Sequence, residues 1–226
     1  MSTPIVQIYT IQTVAEARAV ASLGIDRVGV TPGARGLPGE IPVPLAASIV
    51  DAIRDDVTVS ALSVESDPDA IVAMVETVRP HVLHLCGPPG AVSPKAVAAL
   101  REHLGKIEIM QAIAMVGEEA VATAIAYAEV ADSLILDSVS PEVEGVGAAG
   151  VVHDWNTSRS IVEAVDIPVI LAGGLSPENV ANAIAVVGPW GVDSLTHTNQ
   201  PLPGGGFRKD LEAVAAFATA ARGAGN

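Results

Sequence analysis

The segment Leu171–Val180, LAGGLSPENV, follows the short apolar run Pro168-Val169-Ile170. Gly173 and Gly174 let the backbone approach a ligand with no side chain in the way. Bare N–H groups beside a strand end suit a phosphate oxygen, so a small phosphorylated metabolite is the first substrate class to expect. Ser176-Pro177-Glu178 then reads as a helix start, with Ser176 as N-cap and Pro177 as first helical residue. Proton transfer has its own candidates. Asp137 stands one residue past the apolar Leu134-Ile135-Leu136, where desolvation would raise its pKa enough to hold a proton. His84 and Cys86 are two apart, so on a strand both side chains point to the same side. An imidazole titrates near neutrality. The bland readings are a hydrogen-bonded core histidine, a small buried thiol and a loop aspartate.

Elements of the right kind surround these residues. Candidate strands are Ile5–Tyr9, Arg27–Val30, Val57–Leu62, His81–Leu85, Ile107–Ile113, Ser133–Leu136, Pro168–Leu171 and Val192–Leu195. Alanine-rich stretches with apolar residues at helical spacing lie between them: Val14–Leu23, Leu45–Arg54, Pro68–Val78, Pro94–Leu104, Glu118–Val130, Thr157–Val165, Pro177–Val187 and Lys209–Ala221. Strands alternating with helices imply a parallel sheet covered on its outside. Eight such pairs in 226 residues predict a (β/α)8 TIM barrel, with residues 1–226 as one domain. A doubly wound sheet would use fewer strands at this length. Two long loops, Thr31–Pro44 and Asp137–Asn156, leave strand C-terminal ends, the face on which such barrels build their sites.

Composition narrows the ligand. The net charge is −14, which disfavours nucleic acid because that needs a basic patch. A single phosphate can still be held locally. No apolar run reaches ~18 residues, and the N-terminus has no basic region followed by an apolar segment, so no membrane span or leader is expected. The lone Cys86 excludes an intramolecular disulfide and fits a cytoplasmic location. No H-x-H or H-E-x-x-H spacing supports a metal site among His84, Cys86, Asp137 and His197, and no cofactor is expected. A homodimer is left open.

Read together, the motifs resemble the phosphoribosylanthranilate isomerase family over nearly the whole chain. Leu171–Val180 is similar to the family's LAGGLxPENV. Gly147-Ala148-Ala149-Gly150, with Asp154-Trp155 beyond it, resembles GGTGxxxDW. Leu136-Asp137-Ser138 is similar to LLD(T/S), Gly191-Val192-Asp193 to GVD, and Leu85 with Gly87 to QLHG. Arg35 stands where an SPR loop carries arginine.

The resemblance implies an aldose–ketose isomerase of a phosphorylated aminosugar. A general acid opens the furanose ring, and a general base takes a proton from C2 of the resulting Schiff base. Asp137 takes the acid's place. The base is displaced, because the family's KICG on the first strand is here Gln7-Ile8-Tyr9-Thr10, without the lysine or the catalytic cysteine. Tyr9, Cys86 and His84 are the substitutes to examine. Gln7, Arg35, Asp193 and His197 are the substrate-binding candidates: Arg35 for a carboxylate, Asp193 for a ring nitrogen or sugar hydroxyl. The implied phosphate site is Gly150, Ala172, Gly173 and Gly174, with Leu195 and Thr196 on an altered half after the last strand. The alternatives are a divergent isomerase, epimerase or lyase on another small phosphorylated or carboxylated sugar, and a non-catalytic metabolite-binding barrel. Retention of Asp137, Arg35 and the glycine pair argues against the last.

Overall fold

The computed structural model describes residues 3–140 and 144–224. Eight parallel strands close into a barrel: β1 (Ile5–Tyr9), β2 (Arg27–Val30), β3 (Thr58–Ser63), β4 (Val82–Leu85), β5 (Glu108–Ala114), β6 (Ser133–Asp137), β7 (Val169–Leu171) and β8 (Gly191–Ser194). Closure is the pairing of β8 back onto β1, with Gln7 opposite Asp193. The covering helices are α1 (Val14–Ala21), α2 (Val43–Ile53), α3 (Pro68–Val78), α4 (Pro94–Leu104), α5 (Glu119–Ala128), α6 (Trp155–Ala164), α7 (Val180–Val187) and α8 (Leu211–Gly223).

Strand periodicity divides the core in two. Residues such as Val6, Ile8, Val28, Ile109 and Leu134 pack against the helix layer. Alternate residues, among them Tyr9, Val82, Met110, Ile135 and Ile170, fill the barrel itself. Side-chain caps fix where several helices begin. Thr13, Asp67, Ser93, Asp154 and Asp210 each accept a first-turn amide. Each cap sits at the end of a loop leaving a strand's C-terminal end, so capping also sets the loops around the barrel mouth. Among the described residues, no helix is long and apolar enough to cross a membrane.

Two expectations are corrected. The seventh helix begins at Val180, not at Pro177. Ser176 to Glu178 form a turn closed by Asn179, whose Oδ1 accepts from Ser176 N at 2.8 Å and whose Nδ2 donates to Gly174 O at 2.9 Å. The last helix begins at Leu211, not at Lys209, because Asp210 takes the amides of Glu212 and Ala213. The residues before it form a 3-10 turn (Thr196–Thr198) and an antiparallel hairpin, β9 (Asn199–Pro201) with β10 (Phe207–Lys209), which the sequence pattern did not reveal.

Gly29 on β2 leaves room for the Tyr9 ring: a Cβ built there would lie 2.0 Å from Tyr9 Cε1. Gly29→Ala is therefore expected to lower stability by about 1–3 kcal/mol through overpacking. Urea unfolding should show a lower midpoint at unchanged slope. An unchanged midpoint would mean that the ring finds space elsewhere at no cost.

Candidate active site

The barrel interior carries a polar layer above its apolar floor. Gln7 is fully buried, donates from Nε2 to Asp193 Oδ1 at 3.1 Å, and accepts from Ser60 Oγ at 3.3 Å. Across the barrel, Tyr9 OH and His84 Nδ1 are 2.9 Å apart, with the rings edge to face. Asp137 ends β6, and its Oδ1 accepts from Ser138 N at 2.7 Å. Tyr9, His84, Cys86, Asp137 and Asp193 line one pocket, roofed by Leu37-Pro38 and Gly147-Ala148. Three buried polar atoms of residues on that wall have no partner among the described residues: Thr10 Oγ1, Thr31 Oγ1 and His84 Nε2. Each leaves hydrogen-bonding capacity for a ligand.

Burial separates the protonation states. Asp137 opens partly to the pocket but is crowded by protein, and this burial, aided by the charge of Asp193, pushes its pKa up to about 8. Burial also raises Asp193 to about 7, against the pull of the Gln7 hydrogen bond and the Lys209 charge. Burial drives His84 down to about 3, so the imidazole is neutral. It raises the Tyr9 hydroxyl and the Cys86 thiol, with Asp193 adding to the first and Asp137 to the second. Both groups hold their protons at neutral pH.

A second, smaller pocket adjoins the first and shares Asp137 and Asp193 with it. Its wall includes Gly150, Gly173, Gly174, Leu195, Thr196 and His197. Gly173 has φ +78° and Gly174 φ +63°. A Cβ on Gly173 would meet His153 Nδ1 and Ser138 Oγ at 2.7 Å each, and one on Gly174 would meet Val151 C at 2.6 Å. Both conformation and space therefore require glycine. His153 is pinned by Ser138 on one side and by Ser158 Oγ at 2.9 Å on the other, which holds the β6–α6 loop against the glycines. Among the described residues, the Gly173 and Gly174 amides make no backbone hydrogen bond.

Several site expectations change. Gln7 does not face a ligand, because both ends of its amide are taken by Asp193 and Ser60. Cys86 is unsuited as a base, because its thiol donates to Val146 O at 2.6 Å and burial favours the neutral form. Tyr9 likewise keeps its proton. Ala172 cannot offer its amide to phosphate, because that N–H is bonded to Leu136 O at 2.9 Å. Arg35 already has carboxylate partners: Glu65 at 2.7 Å and, through Nε and Nη2, Glu144 at 3.1 Å. His197 is exposed, with Nε2 at 3.3 Å from Gly150 O. The residue overlooked altogether is Lys209. It is only 4 % exposed, with its ammonium on the Tyr9 carbonyl and, at 2.6 Å, on Asn199 Oδ1.

A closed parallel barrel with a proton-holding carboxyl and a glycine-walled pocket at its C-terminal face defines a (β/α)8 enzyme of the acid–base type. Residues 44–195 match the family model for N-(5'phosphoribosyl)anthranilate (PRA) isomerase. A relative of that name from Natronomonas pharaonis is 33 % identical over 201 residues, 88 % of this chain and 89 % of its own. Another from Haloferax volcanii is 34 % identical over 205 residues, 90 % and 86 % of the two chains. The crystal structure of phosphoribosyl anthranilate isomerase from Thermotoga maritima superposes with a TM-score of 0.78 at 25 % identity, covering 97 % of this chain and 99 % of that one. The chain belongs to the phosphoribosylanthranilate isomerase family and is an aldose–ketose isomerase by that membership.

The Asp137 shift has a stability consequence. The folded protein binds this proton more tightly than the unfolded chain, where an aspartate titrates near ~3.9. The corresponding stability is fully present below pH ~4 and is lost as pH rises through about 8. A carboxamide in its place does not titrate. Wild-type stability measured against Asp137→Asn by urea unfolding should therefore fall between pH ~4.5 and ~8.5, by roughly 2 kcal/mol or more. A difference that stays constant with pH would contradict a raised Asp137.

Proposed function

We propose that this chain catalyses the Amadori rearrangement of phosphoribosylanthranilate, converting a phosphorylated aminoaldose into the aminoketose. The observation that carries the reading is a buried, proton-holding Asp137 shared by the reaction pocket and the glycine-walled pocket beside it. Phosphate rests on the Gly173 and Gly174 amides, near Gly150, Thr196 and His197. Backbone donors suffice there, because a site inside a chain of net charge −14 can hold one anion through local dipoles. Asp137 gives its proton to the furanose ring oxygen. The anilino nitrogen lone pair closes the C1=N bond as the C1–O bond breaks, and the open-chain Schiff base results. Neutral His84, oriented by Tyr9, offers Nε2 to a substrate hydroxyl. Arg35 meets the substrate carboxylate by exchanging Glu144 for it, since either partner fits the same guanidinium fork.

A second reading, an isomerase or epimerase acting on a different phosphorylated sugar, draws on one observation: Tyr9 fills the place where the family's thiol stands. Turnover decides between them. Purified protein given phosphoribosylanthranilate should form the ketose, and Asp137→Asn should lower kcat roughly 10²–10⁴-fold with a smaller effect on KM. A folded wild type without turnover on this substrate would favour the second reading.

A further inference from the structure

The catalytic thiol is absent, and the groups nearest its place keep their protons or are neutral. The proton acceptor for C2 must therefore come from another strand. We propose that Asp193 is the general base of this site and that Lys209, carried by the β9–β10 hairpin, is the positioning residue that keeps it charged and in place. The inference rests on the isomerase reading above and supplies the step that reading leaves open.

The geometry singles out Asp193. It lines both pockets, beside the reacting sugar and beside the phosphate. Its Oδ1 is held by Gln7 Nε2, while its Oδ2 makes no hydrogen bond to the described residues. Ser60 in turn fixes the Gln7 amide, so the carboxylate cannot swing away. The charged and titratable groups acting on Asp193 and its surroundings are Tyr9 from β1, Arg27 from β2, Cys86 from β4, Asp137 from β6, Lys209 from β10 and, through Lys209, Glu16 from α1. Lys209 is the cation that acts on Asp193 itself.

Lys209 is placed by contacts from three directions. Its ammonium donates to the Tyr9 carbonyl at the end of β1, to Asn199 Oδ1 at 2.6 Å, and to Leu195 O at 3.3 Å. Its backbone N donates to Glu16 Oε1 at 2.6 Å, and Gln12 Nε2 donates to Phe207 O at 2.8 Å, which ties the hairpin to α1 and the loop before it. The ammonium's hydrogen-bond partners are all neutral oxygens. Burial lowers its pKa to about 7, and the nearby charges of Asp193 and Glu16 oppose that shift, so its positive charge depends on those two carboxylates.

The step balances. Asp193 takes the C2 proton; the C2–H electron pair becomes the C1=C2 bond, and the C1=N pair returns to nitrogen. Asp137 has by then given its proton to the ring oxygen. Asp193 leaves the step protonated and Asp137 ionised, and exchange with solvent restores both before the next substrate binds.

The test has a substrate-free arm and a kinetic arm. In protein with ¹³C-labelled aspartate carboxyls and no substrate, Lys209→Met should move the Asp193 titration midpoint up by about one unit or more. In turnover, the acid limb of kcat/KM should move up by the same amount. Asp193→Asn would leave Lys209 buried without its partner and so risk unfolding. The uncharged double variant Asp193→Asn/Lys209→Met removes that risk and should lose about 10²–10⁴-fold in kcat while staying folded. A folded double variant within tenfold of wild type overturns the assignment of the base. An unmoved Asp193 midpoint in Lys209→Met overturns the role of Lys209, whatever the substrate. A wild type inactive on phosphoribosylanthranilate whose Asp193 midpoint does respond to Lys209 overturns the substrate reading and keeps the pair.

Discussion

Asp193 and Lys209 are both withdrawn from water at the mouth of one barrel, and each makes the other tolerable. Removing an ion from water costs several kcal/mol even after relaxation. The aspartate recovers part of that cost from Gln7, and the ammonium recovers part from four oxygens around it. The two make no direct contact, and what attraction remains between them acts through the intervening space. This pair joins elements far apart in sequence: β1 through Gln7 and Tyr9, β8 through Asp193, and the hairpin through Lys209. It sits at the seam where β8 pairs with β1, the last contact that closes the barrel. Closure and charge placement are thus one requirement, met by the same residues.

The glycine-walled pocket follows a different logic. Its glycine turn uses backbone conformation rather than charge, although Asp137 and Asp193 share the pocket wall. Gly173 and Gly174 adopt left-handed backbone, and their neighbours stand where any side chain would be. The His153 ring, bracketed by Ser138 and Ser158, holds the loop from β6 against them. Backbone amides supply local donors at contact range, so an anion site built on them needs no net positive charge on the protein as a whole. The two ends of the site therefore answer to separate constraints, and one can change while the other stays. The chain bears the mark of this: the glycine motif after β7 matches the family pattern, while β1 does not.

Most of the barrel was legible because its period is. The first two strands and the third and fourth helices begin and end where the apolar spacing places them, and the other strand boundaries shift by one residue. Asp137 was legible for a local reason, an acid directly after three apolar residues. Lys209 was not. In the run Phe207-Arg208-Lys209-Asp210 before an apolar helix, a lysine reads as an exposed first-turn residue, and only the Asp210 cap ends the helix before it. Its burial depends on a hairpin whose strands are three residues each, too short for any alternation to register. Gln7 was misplaced for a related reason: aligned with a family lysine it reads as ligand-facing, but an amide that neighbours both Ser60 and Asp193 spends its donors and acceptors inside the wall. The one sequence signal pointing toward Lys209 is indirect. An aspartate at the end of the last strand, with no cation on the first strand beside it, is a reason to look for a positive charge from elsewhere.

The loss of the thiol and the presence of this lysine are then two sides of one rearrangement. Tyr9 is far larger than cysteine, and the barrel takes it in only because Gly29 on the neighbouring strand has no side chain. Once seated, the ring reaches His84 and closes the β1 side of the pocket with a hydroxyl that keeps its proton. A base on that side is no longer available. Asp193 is the remaining carboxylate that lines both pockets, and burial alone would leave it protonated and useless as a base. The charge of Lys209 on the hairpin lowers the cost of ionising it, while Asp137 is raised by burial and by the Asp193 charge and holds its proton. The Lys209 charge thereby favours Asp193 over Asp137 as the ionised partner, and two carboxyls in different protonation states are the asymmetry an aldose–ketose rearrangement requires.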